Sequence, residues 1–186
     1  MKKRLLATLL LVLGLIASPT QAQSTLEEHP GYFPLDEVEI LPRDNLSIEI
    51  NLRNPLLKMV ALAADDEPEL ADIISDLEGI RVLIGPLEGL DSEAVRSDIR
   101  SAADRLDKQN WQSIIRIRED DEEIYIYVME KGGEIQGLTV LMLDDEEATL
   151  INLVGTIHPE DLTGLGRSLD LPQLERAVAE PDEEKP

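Results

Sequence analysis

The sequence predicts an α+β fold: one mainly antiparallel sheet that includes a four-stranded meander, packed with three to four helices. Three observations predict it. Apolar residues recur at helical spacing in the first half, as at Val95, Ile99, Ala102 and Leu106. From Trp111 onward the pattern changes to four β-like runs separated by short acidic or Gly-Gly turns, which reads as successive hairpins. The chain has 186 residues and 42% hydrophobic content, enough for one domain with a real core.

Met1-Lys2-Lys3-Arg4 is a positive n-region, Leu5 to Ala17 an apolar run, and Ser18 to Ala22 a small-residue exit. That order is a secretory signal peptide, residues 1–22, with cleavage expected after Ala22. The apolar run is about 13 residues, short of the roughly 20 needed to span a bilayer. With no Cys anywhere there is no lipobox, so the mature chain is expected to be soluble, without a transmembrane or lipid anchor, in a Gram-negative periplasm. Residues 23–44 carry Pro30, Pro34 and Pro42 among Tyr32, Phe33, Val38 and Ile40. The prolines oppose a helix, and an extended N-terminal arm that packs Tyr32 and Phe33 onto the domain is expected.

The domain proper is read as residues 45–178. Leu46 to Leu52 alternates apolar and polar, as a half-buried strand does. Asn54-Pro55 opens a helix whose apolar face is Leu56, Leu57, Val60, Ala61 and Ala64. After Asp65 to Pro68 a second helix places Leu70, Ile73, Ile74 and Leu77 inward, and Gly79 is expected to end it. Ile80 to Ile84 is a short strand closed by Gly85-Pro86. Asp91 or Ser92 caps the third helix, whose other face carries Arg96, Arg100, Arg105, Asp98 and Asp104 and reads as solvated. The meander strands are Trp111 to Arg118, Ile124 to Glu130, Ile135 to Leu143 and Ala148 to Ile157. His158-Pro159-Glu160-Asp161 opens a last helix with Leu162, Leu165 and Leu169 inward, and residues 179–186 read as an acidic, disordered tail. Runs such as Val140 to Leu143 are apolar on both sides, so the sheet is covered on both faces or presents one to a partner.

His29-Pro30-Gly31-Tyr32, Pro55-Leu56-Leu57-Lys58 and Leu77 to Val82 follow one another, then Trp111 with Arg116 and Arg118. Tyr125 to Val128, Ile135-Gln136-Gly137-Leu138 and Asn152-Leu153-Val154-Gly155 complete the set, over roughly residues 28–172. Taken in order, these pieces resemble a family of exported bacterial proteins, the domain of unknown function 4252 family. The resemblance implies no established activity, cofactor or catalytic residue. Many members look like lipoproteins, a feature this Cys-free chain lacks.

A formal net charge of −22 argues against nucleic-acid binding, whose affinity rests on Lys and Arg neutralising phosphates. Absence of Cys excludes disulfides, thiolate metal sites and cysteine nucleophiles. Of two histidines, His158 could be a general base or metal ligand, or simply a helix-entry residue. No Gly-x-Ser-x-Gly elbow, phosphate loop or calcium-loop pattern occurs. Asp120, Asp121, Glu122, Glu123, Asp144, Asp145, Glu146 and Glu147 fall at alternate turns of the meander. Alternate turns share one end of a sheet, so these eight carboxylates should converge as a weak cation cluster. Arg81, Arg116 and Arg118 read either as an anion-receiving cluster or as singles paired with acids on neighbouring strands. Asn152 and Gln136 read as buried hydrogen-bonding or solvent-face residues.

The expectation is a non-enzymatic periplasmic protein that binds another envelope protein or peptide, with no catalytic, cofactor or metal residues assigned. Its rivals are a small hydrolase using carboxylates or His158 and an electrostatic binder of cations or cationic peptides.

Overall fold

The computed structural model describes residues 25–38, 41–63, 68–119, 122–169 and 171–174. The expected signal peptide, the acidic tail, Ala64, Asp120 and Asp121 lie outside them. Six strands form one sheet: β1 (Ile48–Arg53), β2 (Leu77–Pro86), β3 (Gln112–Arg118), β4 (Glu123–Lys131), β5 (Glu134–Leu143) and β6 (Glu147–Ile157). Their order is β1-β2-β6-β5-β4-β3 and every pairing is antiparallel. Strands β3 to β6 are the expected meander. The β4–β5 turn is Gly132-Gly133 with φ of 70° and 87°, the left-handed conformation that a tight hairpin requires at both central residues. The helices are α1 (Asn54–Ala63), α2 (Pro68–Ser75), α3 (Ser92–Lys108) and α4 (Asp161–Ser168).

Strand alternation separates two cores. On one face Tyr125, Tyr127, Leu141, Leu143 and Leu150 meet Val95, Ile99, Ala102 and Leu106 of α3. Asp91 caps α3, its side chain accepting from the backbone N–H groups of Glu93 and Ala94. On the other face Ile124, Ile126, Leu138, Val140 and Ile151 meet Leu57 of α1, Ile73 and Ile74 of α2, and Leu162 and Leu165 of α4. The sheet is therefore covered on both faces, which is why its central strands are apolar on both sides.

The N-terminal arm belongs to the first core. Phe33, Leu35, Val38 and Leu41 are buried there, and three 3-10 turns, Leu26–Glu28, Leu35–Glu37 and Arg43–Asn45, bend the arm around it. Asn152 fixes it. The Phe33 N–H donates to Asn152 Oδ1 at 3.0 Å, and Asn152 Nδ2 donates to Gly31 O at 3.0 Å and to Thr139 Oγ1 at 3.1 Å. Asn152 is thus a buried hydrogen-bonding residue. Gly31 lies backbone to backbone on β5: a Cβ there would sit 1.8 Å from Gln136 O, and one at Gly137 would sit 2.5 Å from Gly31 Cα.

Three expectations change. Gly79 does not end a helix; α2 stops at Ser75, and Gly79 lies inside a ten-residue β2. A Cβ there would meet Leu26 Cδ2 at 2.5 Å, so the Leu26 side chain of the arm packs directly over the strand backbone. The first strand is an edge whose apolar residues Ile48 and Ile50 stay exposed. Of the predicted α1 face only Leu57 is fully buried, whereas Leu56 and Val60 are exposed.

Candidate functional site

Helix α1 reads Asn-Pro-Leu-Leu-Lys-Met-Val-Ala-Leu-Ala, with Asn54 and Lys58 its only polar side chains. A helix apolar all round is ordinarily enclosed. This one packs against β1, β2 and α2 through Leu57, and leaves Leu62 75%, Met59 66% and Leu56 52% exposed, with Val60 beside them. Ile48 and Ile50 of β1, on the α1 side of the sheet, extend the apolar surface to the sheet edge. Across residues 48–63 there is one acid, Glu49, against Arg53 and Lys58. In a chain of net charge −22 this is an apolar, non-acidic surface.

The acidic turns are less uniform than their sequence. Glu119, Glu122, Asp144, Asp145 and Glu146 line one open depression, so the two turns do share an end of the sheet. Glu123 does not join them. It is the first residue of β4, paired with Arg118 and Leu143, and it is fully buried on the α3 side. Arg96 donates to Glu123 Oε1 at 3.1 Å, Arg100 Nε to Oε2 at 3.1 Å, and the Tyr125 hydroxyl to Oε2 at 2.7 Å. Arg100 Nη2 also bonds Oε1. Burial pushes the Glu123 carboxyl up, but the hydrogen bonds from Arg100, Tyr125 and Arg96 outweigh it and hold the group below its ordinary range. The α3 face read as solvated therefore supplies two arginines to a buried carboxylate. Asp144 is also engaged: its Oδ1 accepts from the N–H groups of Glu146 and Glu147 at 2.8 Å each, closing the turn. Asp145 and Glu146 are exposed at the tip, and Glu147 is an exposed strand residue opposite Pro86. Among the described residues no group of three or more His, Asp or Glu is placed to hold a metal ion.

The three strand arginines do not cluster. Arg81 is buried and donates to Asp36 Oδ2 at 2.7 Å and to the Tyr32 hydroxyl at 3.1 Å, both on the arm. Arg116 donates to the Tyr127 hydroxyl at 2.7 Å and pairs with Asp107 of α3 at 2.9 Å. Arg118 donates to the Tyr125 hydroxyl at 2.8 Å. The expected acids on neighbouring strands are replaced by tyrosines from β4, with carboxylates coming from the arm and α3. Burial raises the pKa of both Tyr125 and Tyr127, which keeps them neutral donors and acceptors at physiological pH.

His158 stands half-exposed where β6 turns into α4, with Nε2 3.4 Å from Asp76 Oδ2. It lines a small depression with Glu130, Glu134, Thr156 and Pro159. Among the described residues no hydroxyl hydrogen-bonds its ring. Gln136, half-buried on β5, donates to Glu134 Oε2 at 3.3 Å.

Sequence reasoning missed Glu123 as an inward group, and the signal was present. Stepping back by twos from Tyr127 and Tyr125 puts Glu123 on their face, and Arg96 and Arg100 are one helical turn apart.

The model of the family described as Domain of unknown function (DUF4252) matches residues 43–165. The match begins at Arg43, after His29 to Tyr32 of the arm, although Gly31 rests on matched residues Gln136 and Gly137. No curated protein and no solved structure matches the chain.

Proposed function

This chain belongs to the DUF4252 family, and we propose that it is a non-enzymatic protein of the bacterial periplasm that binds another envelope protein or peptide through the exposed apolar face of α1. The observation that carries the reading is the exposure of Leu56, Met59, Val60 and Leu62 on a helix whose only charge is Lys58. Burying a Leu, Val or Met side chain contributes about 1.5–3 kcal/mol. Four on one face match the energetic scale of an interface core once the costs of association are subtracted. The acidic remainder of the surface disfavours acidic partners and leaves this face as the apolar approach. Export rests on the basic, apolar and small-residue order of the first 22 residues. Among the described residues no helix is long and apolar enough to cross a membrane.

The test uses the mature chain as bait in envelope extract, beside a Met59→Glu/Leu62→Glu variant. The wild type should retain a discrete partner and the variant lose at least about tenfold of it, with unchanged circular dichroism. Equal capture by both would sink the α1 reading. Export is tested by sequencing the N-terminus of protein released by osmotic shock. A start at Gln23 is expected, and a membrane-held chain beginning at Met1 would overturn it.

The shared depression at the two acidic turns supports a second reading, weak and poorly selective cation binding. Calorimetry showing tight, stoichiometric calcium binding would promote it over the first.

A further inference from the structure

Both edges of the sheet are strands, but they are differently guarded. Edge strand β3 carries Arg116 and Arg118 and a bulge between Ser113 and Ile115, all devices that discourage a further strand. Edge strand β1 is less guarded: its charges are Glu49 and, at its last residue, Arg53, and it has no bulge. It runs in unbroken register with β2 from Ile48↔Ile84 to Arg53↔Gly79, contains no proline or lysine, and exposes every residue but the half-buried Leu52. Half of its backbone N–H and C=O groups point away from β2, as they do in any edge strand.

We propose that β1 pairs antiparallel with β1 of a second copy of this chain, about a two-fold axis that passes through Asn51 perpendicular to the sheet. The axis keeps each face of one sheet continuous with the same face of the other, so residues directly opposite must have positions of like parity. Three such registers are open near the strand centre. An axis at Ile50 sets Glu49 against Asn51, and one at Leu52 sets Asn51 against Arg53. The axis at Asn51 sets Glu49 against Arg53 and Ile50 against Leu52, each twice. It alone of the three matches opposite charges, and it aligns the apolar residues on the α1 side. Arg53 now pairs with Glu27 at 2.7 Å and Glu49 with Arg43 at 3.6 Å, all four side chains being substantially exposed and free to share a second partner.

Charge also selects a second copy at this edge. Two chains of net charge −22 repel, yet residues 48–63 hold one acid and two bases, and that acid meets its own complement in the twin. The pairing is isologous, as two-fold interfaces are. It stands independently of the partner reading for α1. It would nevertheless place both α1 helices on the same side of one extended sheet, making the surface bivalent.

The experiment is sedimentation velocity on the mature chain with a charge-exchange series. The wild type should dimerise. Glu49→Arg and Arg53→Glu should each raise the dimer dissociation constant about tenfold or more, because each turns two attractive pairs into two repulsive ones. An equimolar mixture of the two variants should recover dimers, as should the double variant, an outcome a merely structural role for either residue would not produce. Opposed Cα atoms in an antiparallel pair lie about 4.5–5.5 Å apart, within disulfide reach. Since the chain has no Cys, Asn51→Cys should cross-link to a dimer on mild oxidation and Arg53→Cys should not. A wild type that stays monomeric at its highest soluble concentration overturns the proposal. A dimer indifferent to the charge series, or one that cross-links through Arg53→Cys, overturns the proposed pairing about Asn51.

Discussion

Replacing Glu123 by Gln isolates the one carboxylate whose role the turn sequence conceals. Gln is nearly isosteric, so the packing around the side chain persists and the change is electrical. Glu123 is 0% exposed and faces Arg96, whose side chain is 11% exposed, and Arg100, at 46%. Removing the negative charge takes the Glu123 carboxylate from the nearly buried Arg96, and the new amide N–H group points at a donor. Arg100 can rehydrate, so its share is discounted for solvent screening. Breaking a buried pair costs about 3–5 kcal/mol, and the lower end, about 3 kcal/mol, is expected here. For a chain of this length that is a fall in Tm of about 6–12 °C, at roughly 2–4 °C per kcal/mol. Urea unfolding followed by Trp111 fluorescence measures it, with the slope m unchanged. The pH dependence supplies a second reading. The Glu123 pKa is lowered in the folded state, so its contribution is present above the unfolded carboxylate pKa and is lost as pH falls through the folded value. The gap between wild type and Glu123→Gln should therefore be constant near neutrality and close as the solution is acidified below the ordinary glutamate range. A loss under about 1 kcal/mol, or a gap that widens in acid, would refute the reasoning.

Other outcomes follow from the same geometry. Asn152→Ala removes the buried amide that holds the Phe33 N–H and Gly31 O, and should cost about 2–4 kcal/mol in denaturant unfolding, the sum of two orphaned backbone groups. Gly31→Ala should release the arm, seen as faster proteolysis near residue 31, because its Cβ has only the β5 backbone to occupy. Ile126→Ala and Leu141→Ala, both 0% exposed, should each cost about 2–5 kcal/mol by urea unfolding. At the acidic turn, Asp145→Asn/Glu146→Gln should raise Tm at low salt and less at high salt, whereas Asp144→Ala should lower it at both, since Asp144 alone of the three closes the turn.

The parts of this fold legible in the sequence are those whose pattern is local. The steps of four, three and four from Val95 to Leu106 put all four residues in one core. Gly132-Gly133 between alternating runs announced a hairpin, and its register carried the rest of the meander. What escaped depends on contacts distant in sequence. Gly79 follows an apolar helical run as a C-cap glycine does, and only its pairing with Arg53 and Val154, distant in sequence, reveals a strand glycine. Asp120 to Glu123 is a uniform acidic run, and pairing with Arg118 and Leu143 turns its last member inward. Arg81 and Arg116 read as partners of acids on neighbouring strands, but their carboxylates come from the arm and α3, whose positions no strand pattern encodes, and Arg118 bonds the Tyr125 hydroxyl. In α1 the expected inward face was Leu56, Leu57, Val60, Ala61 and Ala64, and the packing of α2 and β2 took Leu57, with Ala61 partly buried against it. The surplus that remained outside is the candidate interface.

That surplus can be interrogated in the living cell. A photo-crosslinking amino acid placed singly at Met59, Leu62, Ser97 and Asp145 samples the α1 face, the exposed side of α3 and the acidic turn in one series. The account predicts a discrete heavier adduct from Met59 and Leu62, composed of this chain and another envelope component, and none from Ser97 or Asp145. Adducts from Ser97 or Asp145 with none from α1 would contradict it.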